Sequence, residues 1–195
     1  MSKVTFGTVS SSELILSDSE LSARLKRPAS ALDADINAVR LEIMNAANMR
    51  FAALRIKILG IDGDRVSFEG FSVTSFALSS YLSGSKEAYI FVATLGSGVD
   101  RLIMKKKTLS LTDGFNFDAV ASAMAEALAD AAEKKIHPEE KTKRRFSPGY
   151  SDCPLSVQKD ILLMLSADKY AGVKLLDSLL MTPMKSVSAF VAILP

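Results

Sequence analysis

The sequence predicts an α+β fold. Helical and strand-like periodicities are interspersed along the chain rather than alternating in regular βα units, one hairpin is plain, and one continuous apolar run has the length of a central strand. The chain has 195 residues, 48% of them hydrophobic and 24% charged, enough for a single domain with its own core and too apolar for disorder. It contains no internal repeat and no low-complexity segment.

Residues 1–16 mix Ser, Thr and Glu with isolated apolar residues and carry no signal-peptide pattern. Ser17-Asp18-Ser19-Glu20 ahead of Leu21 and Leu25 is a capping box and predicts a short helix. Residues 34–49 place Ile36, Val39, Ile43 and Ala47 at helical spacing. Residues 51–61 alternate (Leu54, Ile56, Ile58) as a strand does; Asp62-Gly63 signals a hairpin turn, and residues 65–71 alternate again as the return strand. Residues 76–82 read as a short helix closed by Ser83-Gly84-Ser85, and residues 88–95 as a central strand ending at Gly96. Val99, Leu102 and Ile103 resume helical spacing and lead into Lys105-Lys106-Lys107. The longest helix is expected over 117–135, with Phe117, Val120, Ala121, Met124, Leu128 and Ala131 on one face. Residues 136–153 are polar and contain Pro and Gly, long enough for a functional loop. A helix is expected over 155–167 and a last strand over 186–194.

Composition excludes several functions. With 24 basic and 22 acidic residues the net charge is +2, which does not suit a predominantly electrostatic nucleic-acid binder. One Cys and one His can form neither an internal disulfide nor a usual zinc site. No uncharged apolar run reaches the length of about 18 residues that a membrane helix needs. The expectation is a metal-free, cytoplasmic protein. The basic concentrations, Lys105 to Lys107 and Lys141, Lys143, Arg144 and Arg145, are solvated charges or a phosphate or carboxylate site. His137, in Lys134-Lys135-Ile136-His137-Pro138-Glu139-Glu140, reads as a surface histidine in an exposed connection. Cys153 reads as a buried thiol, since no base lies near it in sequence. Met124, Met164, Met181 and Met184 read as core fillers.

The stretch from Arg145 to Pro154, Arg-Phe-Ser-Pro-Gly-Tyr-Ser-Asp-Cys-Pro, is the most informative. Pro148 fixes one dihedral, and Gly149 permits positive φ or a close approach to the main chain. Arg145 offers a fork to a carboxylate, and Tyr150 a flat face with a polar tip. Pro154 begins a helix whose first amides point back at the loop. By residue chemistry alone this is a small-ligand loop or an ordinary turn. Glu126 lies about 180° around the long helix from Phe117 (nine residues at ~100° each) and shares that side with Asp130 and Glu133. It belongs to a solvated acidic face or faces a cationic ligand; Asp130 and Glu133 are expected to be surface charges.

The pattern Arg145-x-x-Pro148-Gly149-Tyr150-x-x-Cys153-Pro154 resembles the signature of the activation domain of cobalamin-dependent methionine synthase, which binds S-adenosylmethionine. The likeness continues through Gly172-Val173-Lys174-Leu175, Asp177-Ser178, Met181-Thr182-Pro183 and Ser186-Val187-Ser188. Upstream, Ala125-Glu126-Ala127 falls where the family's long helix carries its ligand-facing glutamate. Ala93-Thr94-Leu95-Gly96 with Val99-Asp100-Arg101-Leu102 is similar to small stand-alone relatives. The resemblance makes residues 88–195 the activation-domain-like core. Residues 1–87 match only in layout, as a helical and hairpin part of the same domain. It implies a twisted, mainly antiparallel sheet, and S-adenosylmethionine held by Glu126, Arg145, Ser147, Gly149 and Tyr150, with no catalytic side chain and no metal. Arg144 falls outside the pocket in the motif's register. In the family the domain continues past the position of Pro195, with a tail that adds an aromatic contact. An acidic residue near the family domain's start also meets the ligand and has no counterpart placed here. Asp177 stands where the family carries glutamate.

The implied function is that of a stand-alone reactivation module. It would supply S-adenosylmethionine for reductive methylation of cob(II)alamin on a separate methionine synthase lacking its activation domain, with an electron donor such as flavodoxin or ferredoxin. The alternatives are a non-catalytic ligand-sensing or assembly subunit and a reactivator of another corrinoid methyltransferase. Cobalamin is expected only on the partner, since no Asp-x-His-x-x-Gly motif occurs here.

Overall fold

A computed structural model describes residues 3–27 and 34–195. In chain order the elements are β1 (Thr5–Thr8), α1 (Asp18–Leu25), α2 (Ala34–Ala46), β2 (Arg50–Asp62), β3 (Arg65–Phe68), β4 (Ser72–Thr74), α3 (Phe76–Leu82), β5 (Glu87–Thr94), α4 (Ser97–Leu109), α5 (Leu111–Ile136), α6 (Gln158–Leu165), α7 (Ala167–Tyr170), β6 (Lys174–Leu175), β7 (Met181–Thr182) and β8 (Ser186–Ala192). Six strands form one antiparallel sheet in the order β4-β3-β2-β5-β8, with β1 also on β2. β6 and β7 form a separate ribbon.

Strand β2 serves two neighbours on one side because it is long. Residues 50–53 pair with β1, and a register shift between Ile58 and Gly60 re-aims the strand onto β3. Its other side pairs with β5 from Arg50↔Thr94 to Lys57↔Glu87, and β5 continues onto β8 from Ala88↔Ala192 to Thr94↔Ser186. The period of two along these strands divides the interior. Phe51, Ala53, Phe91, Ala93, Ala189 and Val191 face the layer of α1, α2, α4 and α5. Ala52, Leu54, Ile56, Ile90, Val92 and Phe190 face α3, α6 and α7 on the other side. β5 is buried on both faces, as its continuous apolar run predicts.

Helix α5 holds the first of these layers together. All eight alanines between positions 119 and 132 are buried, and their small side chains let α1, α2 and α4 approach closely. The helix begins six residues before the expected start, at Leu111, because the Ser110 hydroxyl accepts from Asp113 N at 3.2 Å and caps it.

Six expectations need correction. Met184, read as a core filler, is exposed. Residues 1–16 contain β1, too short for alternation to reveal it. The hairpin turn is Gly63-Asp64, one residue later than predicted: Asp62 still pairs with Arg65, and Gly63 takes the positive φ of +58°. The return strand ends at Phe68, where the chain folds back as β4 and Phe71 stacks on Phe68 at 4.8 Å. The segment 155–167 is a 3-10 turn, then α6, then a break at Ser166 (φ 45°) before α7. Ser17 precedes α1, but its hydroxyl bonds to Ser19 rather than to a helix amide. No described helix is long and apolar enough to cross a membrane.

Candidate functional site

The polar segment after α5 runs along the outer edge of β8. Thr142 bridges to Ile193, and Phe146 exchanges both backbone hydrogen bonds with Phe190 at 2.8 Å. Lys143 fastens it from the side, its Nζ donating to Tyr81 O at 2.6 Å and Ser83 O at 3.3 Å. The Phe146 ring stacks on Tyr81 at 5.2 Å, and Tyr81 Oη accepts from Ala192 N at 2.9 Å. Burial pushes the Tyr81 phenol up to about 12, so it stays neutral here.

Beyond Phe146 the chain curls into a compact loop. Tyr150 N donates to Ser147 O, Cys153 N to Tyr150 O and Gly149 N to Cys153 O, at 3.0–3.3 Å. Gly149 has φ +88°, and a Cβ there would meet Leu155 Cδ1 at 3.1 Å, so both conformation and space favour glycine. Cys153 is buried and burial raises its thiol pKa, which makes it a poor nucleophile.

The loop's far side is tied to α3 by Asp152, a residue without an expected role. Its carboxylate accepts from Ser75 Oγ at 2.7 Å, Phe76 N at 2.7 Å and Ala77 N at 3.1 Å. These bonds, led by the Ser75 hydroxyl, hold its pKa below the usual carboxylate value. A carboxylate depressed in the folded state adds stability that is present above its unfolded pKa and is lost as pH falls through its folded one. We expect Asp152→Ala to lower the melting temperature at neutral pH and to flatten the loss of stability on acidification. Acid limbs that superimpose on the wild type contradict this.

Between the loop and α5 lies a groove of about 510 Å³, lined by Glu126, Arg144, Arg145, Phe146, Ser147, Tyr150 and Ser151. Of the five residues named as ligand contacts, Glu126, Arg145, Ser147 and Tyr150 line this groove; Gly149 shapes the loop without lining it. Arg144, expected outside, lines it from an exposed position.

Arg145 is the electrostatic centre and differs most from expectation. Its fork is not free: Nη2 donates to Glu126 at 2.6 Å, and Nη1 to Asp130 at 2.5 Å and Glu133 at 2.8 Å. Burial opposes the charge, but the bonds to Asp130, Glu126 and Glu133 outweigh it and raise the guanidinium pKa. Asp130 is a surface residue, with its side chain 61% exposed; Glu133, at 14%, is not, and burial raises its pKa despite Arg145. His137 is also not a surface residue. Its side chain is 9% exposed, its ring centre lies 5.6 Å from that of Tyr89, and Nε2 stands 3.9 Å from Glu133 without a hydrogen bond.

Arg24, 3.8 Å from Glu126, is matched by its own partner Glu20. Glu126 is the one carboxylate lining the groove, beside Arg144 and Arg145; Asp130 and Glu133 bond Arg145 from outside the lining. With the exposed Tyr150 ring beside them, one carboxylate and two guanidiniums suit a small ligand that carries charges of both signs and a flat aromatic part. Among the described residues, no group of three His, Cys, Asp or Glu is placed to hold a metal.

The family model described as the activation domain of vitamin B12 dependent methionine synthase matches residues 28–195. A crystal structure of the MetH reactivation domain bound to AdoHcy aligns with a TM-score of 0.66 over 97% of this chain and 78% of that one. At 16% identity this likeness is one of fold, a mixed helical and antiparallel sheet architecture. No curated protein matches the chain.

Proposed function

The chain belongs to the family of vitamin B12-dependent methionine synthase activation domains, and on that premise we propose that it binds S-adenosylmethionine in the groove between α5 and the 145–151 loop. We further propose that it acts as a stand-alone reactivation module for a separate cobalamin-carrying methionine synthase. The observation that carries this is the convergence of Glu126 from α5 with Arg145, Ser147 and Tyr150 from the loop on one groove. S-adenosylmethionine bears one carboxylate, which an arginine of the groove can meet, and one ammonium and one sulfonium, which Glu126 can meet. The structural neighbour's AdoHcy, the demethylated form of the same molecule, supports the choice of ligand.

When bound, S-adenosylmethionine supplies an activated methyl group whose leaving group is a neutral thioether, so transfer to a reduced cobalt on the partner needs no protein base. The residues of this chain bind and orient. Glu126, held by Arg145 at 2.6 Å, presents a carboxylate to the ligand's cationic end. Tyr150 offers its exposed face to the adenine, and the Ser147 hydroxyl a further hydrogen bond. Asp130, the most exposed partner of Arg145, is the contact that the ligand carboxylate would displace. Cobalamin stays on the partner, and an electron donor such as flavodoxin or ferredoxin provides the reduction.

One observation favours a rival, a non-enzymatic ligand-sensing or assembly subunit: both terminal nitrogens of Arg145 are already bonded within the chain. Adding the purified protein, S-adenosylmethionine and a reductant to a cob(II)alamin-arrested synthase that lacks its activation domain separates the two. We expect activity to return. Ligand binding without reactivation supports the sensing subunit, and revival of a different corrinoid methyltransferase alone reassigns the partner.

A further inference from the structure

A second cavity, of about 420 Å³, opens between the start of β2, the turn from β5 into α4, and β6; it shares no lining residue with the groove. Three basic side chains line it from separate elements: Arg50 at the first position of β2, Arg101 in α4 and Lys174 in β6. No carboxylate lines it. Arg55, Lys106, Lys135, Arg145 and Lys185 all have acidic partners, whereas these three stand in no ion pair among the described residues.

Two of the three are held by neutral oxygens. Arg50 Nε donates to Asn48 Oδ1 at 3.2 Å and Arg101 Nη1 to Ser97 Oγ at 3.0 Å, bonds that restrain the guanidiniums without cancelling their charge. Asp100, the acid nearest in sequence, keeps its charge but does not line the cavity; its Oδ2 accepts from Met184 N at 2.7 Å. The α4 dipole adds little, because the carboxyl end of α2 abuts it: a Cβ on Gly98 would lie 2.2 Å from Ala46 O. The positive charge of the cavity therefore comes from the three side chains. Like charges around one concavity repel, and an anion among them turns that repulsion into attraction.

We propose that this cavity binds a phosphate group, as the free dianion or as a monoester. Two guanidinium forks and one ammonium arriving from three sides match the spread oxygens of a tetrahedral dianion better than the two oxygens of one carboxylate. The cavity volume leaves room for a small organic group attached to the phosphate.

Titration calorimetry on the full chain at low salt tests this, with inorganic phosphate, ribose 5-phosphate and ribose as probes. Saturable binding of both phosphates, and none of ribose, is expected. Tighter binding of ribose 5-phosphate identifies a monoester as the ligand, and tighter binding of inorganic phosphate identifies the free anion. Arg50→Ala and Arg101→Ala should each weaken binding roughly tenfold, and Arg101→Glu should abolish it. Lys57→Ala, an exposed cation outside the cavity, should leave it unchanged, with melting curves confirming that every variant is folded. Absence of saturable phosphate binding, or an equal loss in Lys57→Ala, overturns the proposal.

Discussion

Arg145→Ala should cost the fold about 3–5 kcal/mol, the range for breaking a buried ion pair by removing one partner, and weaken S-adenosylmethionine binding as well. Arg145 and Glu133 have side chains only 13% and 14% exposed, so the substitution leaves a largely buried carboxylate facing Glu126 and Asp130 with no cation between them. For a chain of this size the melting temperature should fall by roughly 10 °C. Arg145→Lys should recover little, since one ammonium cannot reach three carboxylates in the fork's geometry. Adding Glu133→Gln to Arg145→Ala should restore part of the loss, because a neutral amide tolerates burial without a counter-ion. Arg144→Ala, at an exposed position, should change stability by no more than about 0.5 kcal/mol. Thermal denaturation of the four variants checks the set; equal losses at Arg144 and Arg145 would mean that the basic cluster acts only as diffuse charge.

Phe190→Ala should have a comparable effect by another route. The ring is fully buried between the sheet and the second helical layer, stacked on Phe68 at 5.4 Å and near Phe71 at 6.4 Å. Truncation loses its transfer free energy and leaves a cavity, together about 3–5 kcal/mol. Its backbone still pairs with Phe146, so the loop keeps its register and the folded variant should still bind ligand. Phe190→Leu should retain most of the stability. Phe190→Ala with an unchanged melting temperature but abolished ligand binding contradicts this division between core and loop.

The elements legible in the sequence were those carried by a period. The β2 alternation, the apolar run of β5 and the buried stripe of α5 all follow from side chains that one face must hide. What escaped depends on contacts distant in sequence. β1 is defined only by its pairing with β2, and the break at Ser166 occurs at a residue that does not announce a left-handed conformation. In the site, spacing put Glu126, Asp130 and Glu133 on one side of α5, but no periodicity could show that a single guanidinium, from a loop twelve to nineteen residues further on, holds all three. The same holds for Asp152, whose partners on α3 lie 75–77 residues away, and for His137, whose polar neighbourhood in sequence hides its burial.

The central claim is that Glu126 serves a cationic ligand in the groove beside Arg145, and titration calorimetry with S-adenosylmethionine and S-adenosylhomocysteine tests it most directly. The two ligands differ by the methyl group and the sulfonium charge it creates. Glu126→Gln keeps the shape of the side chain and removes its charge, so it should weaken S-adenosylmethionine by roughly tenfold, the equivalent of one charge-assisted contact, and S-adenosylhomocysteine by clearly less. Equal weakening of both ligands, or no binding of either by the wild-type chain, would contradict the account.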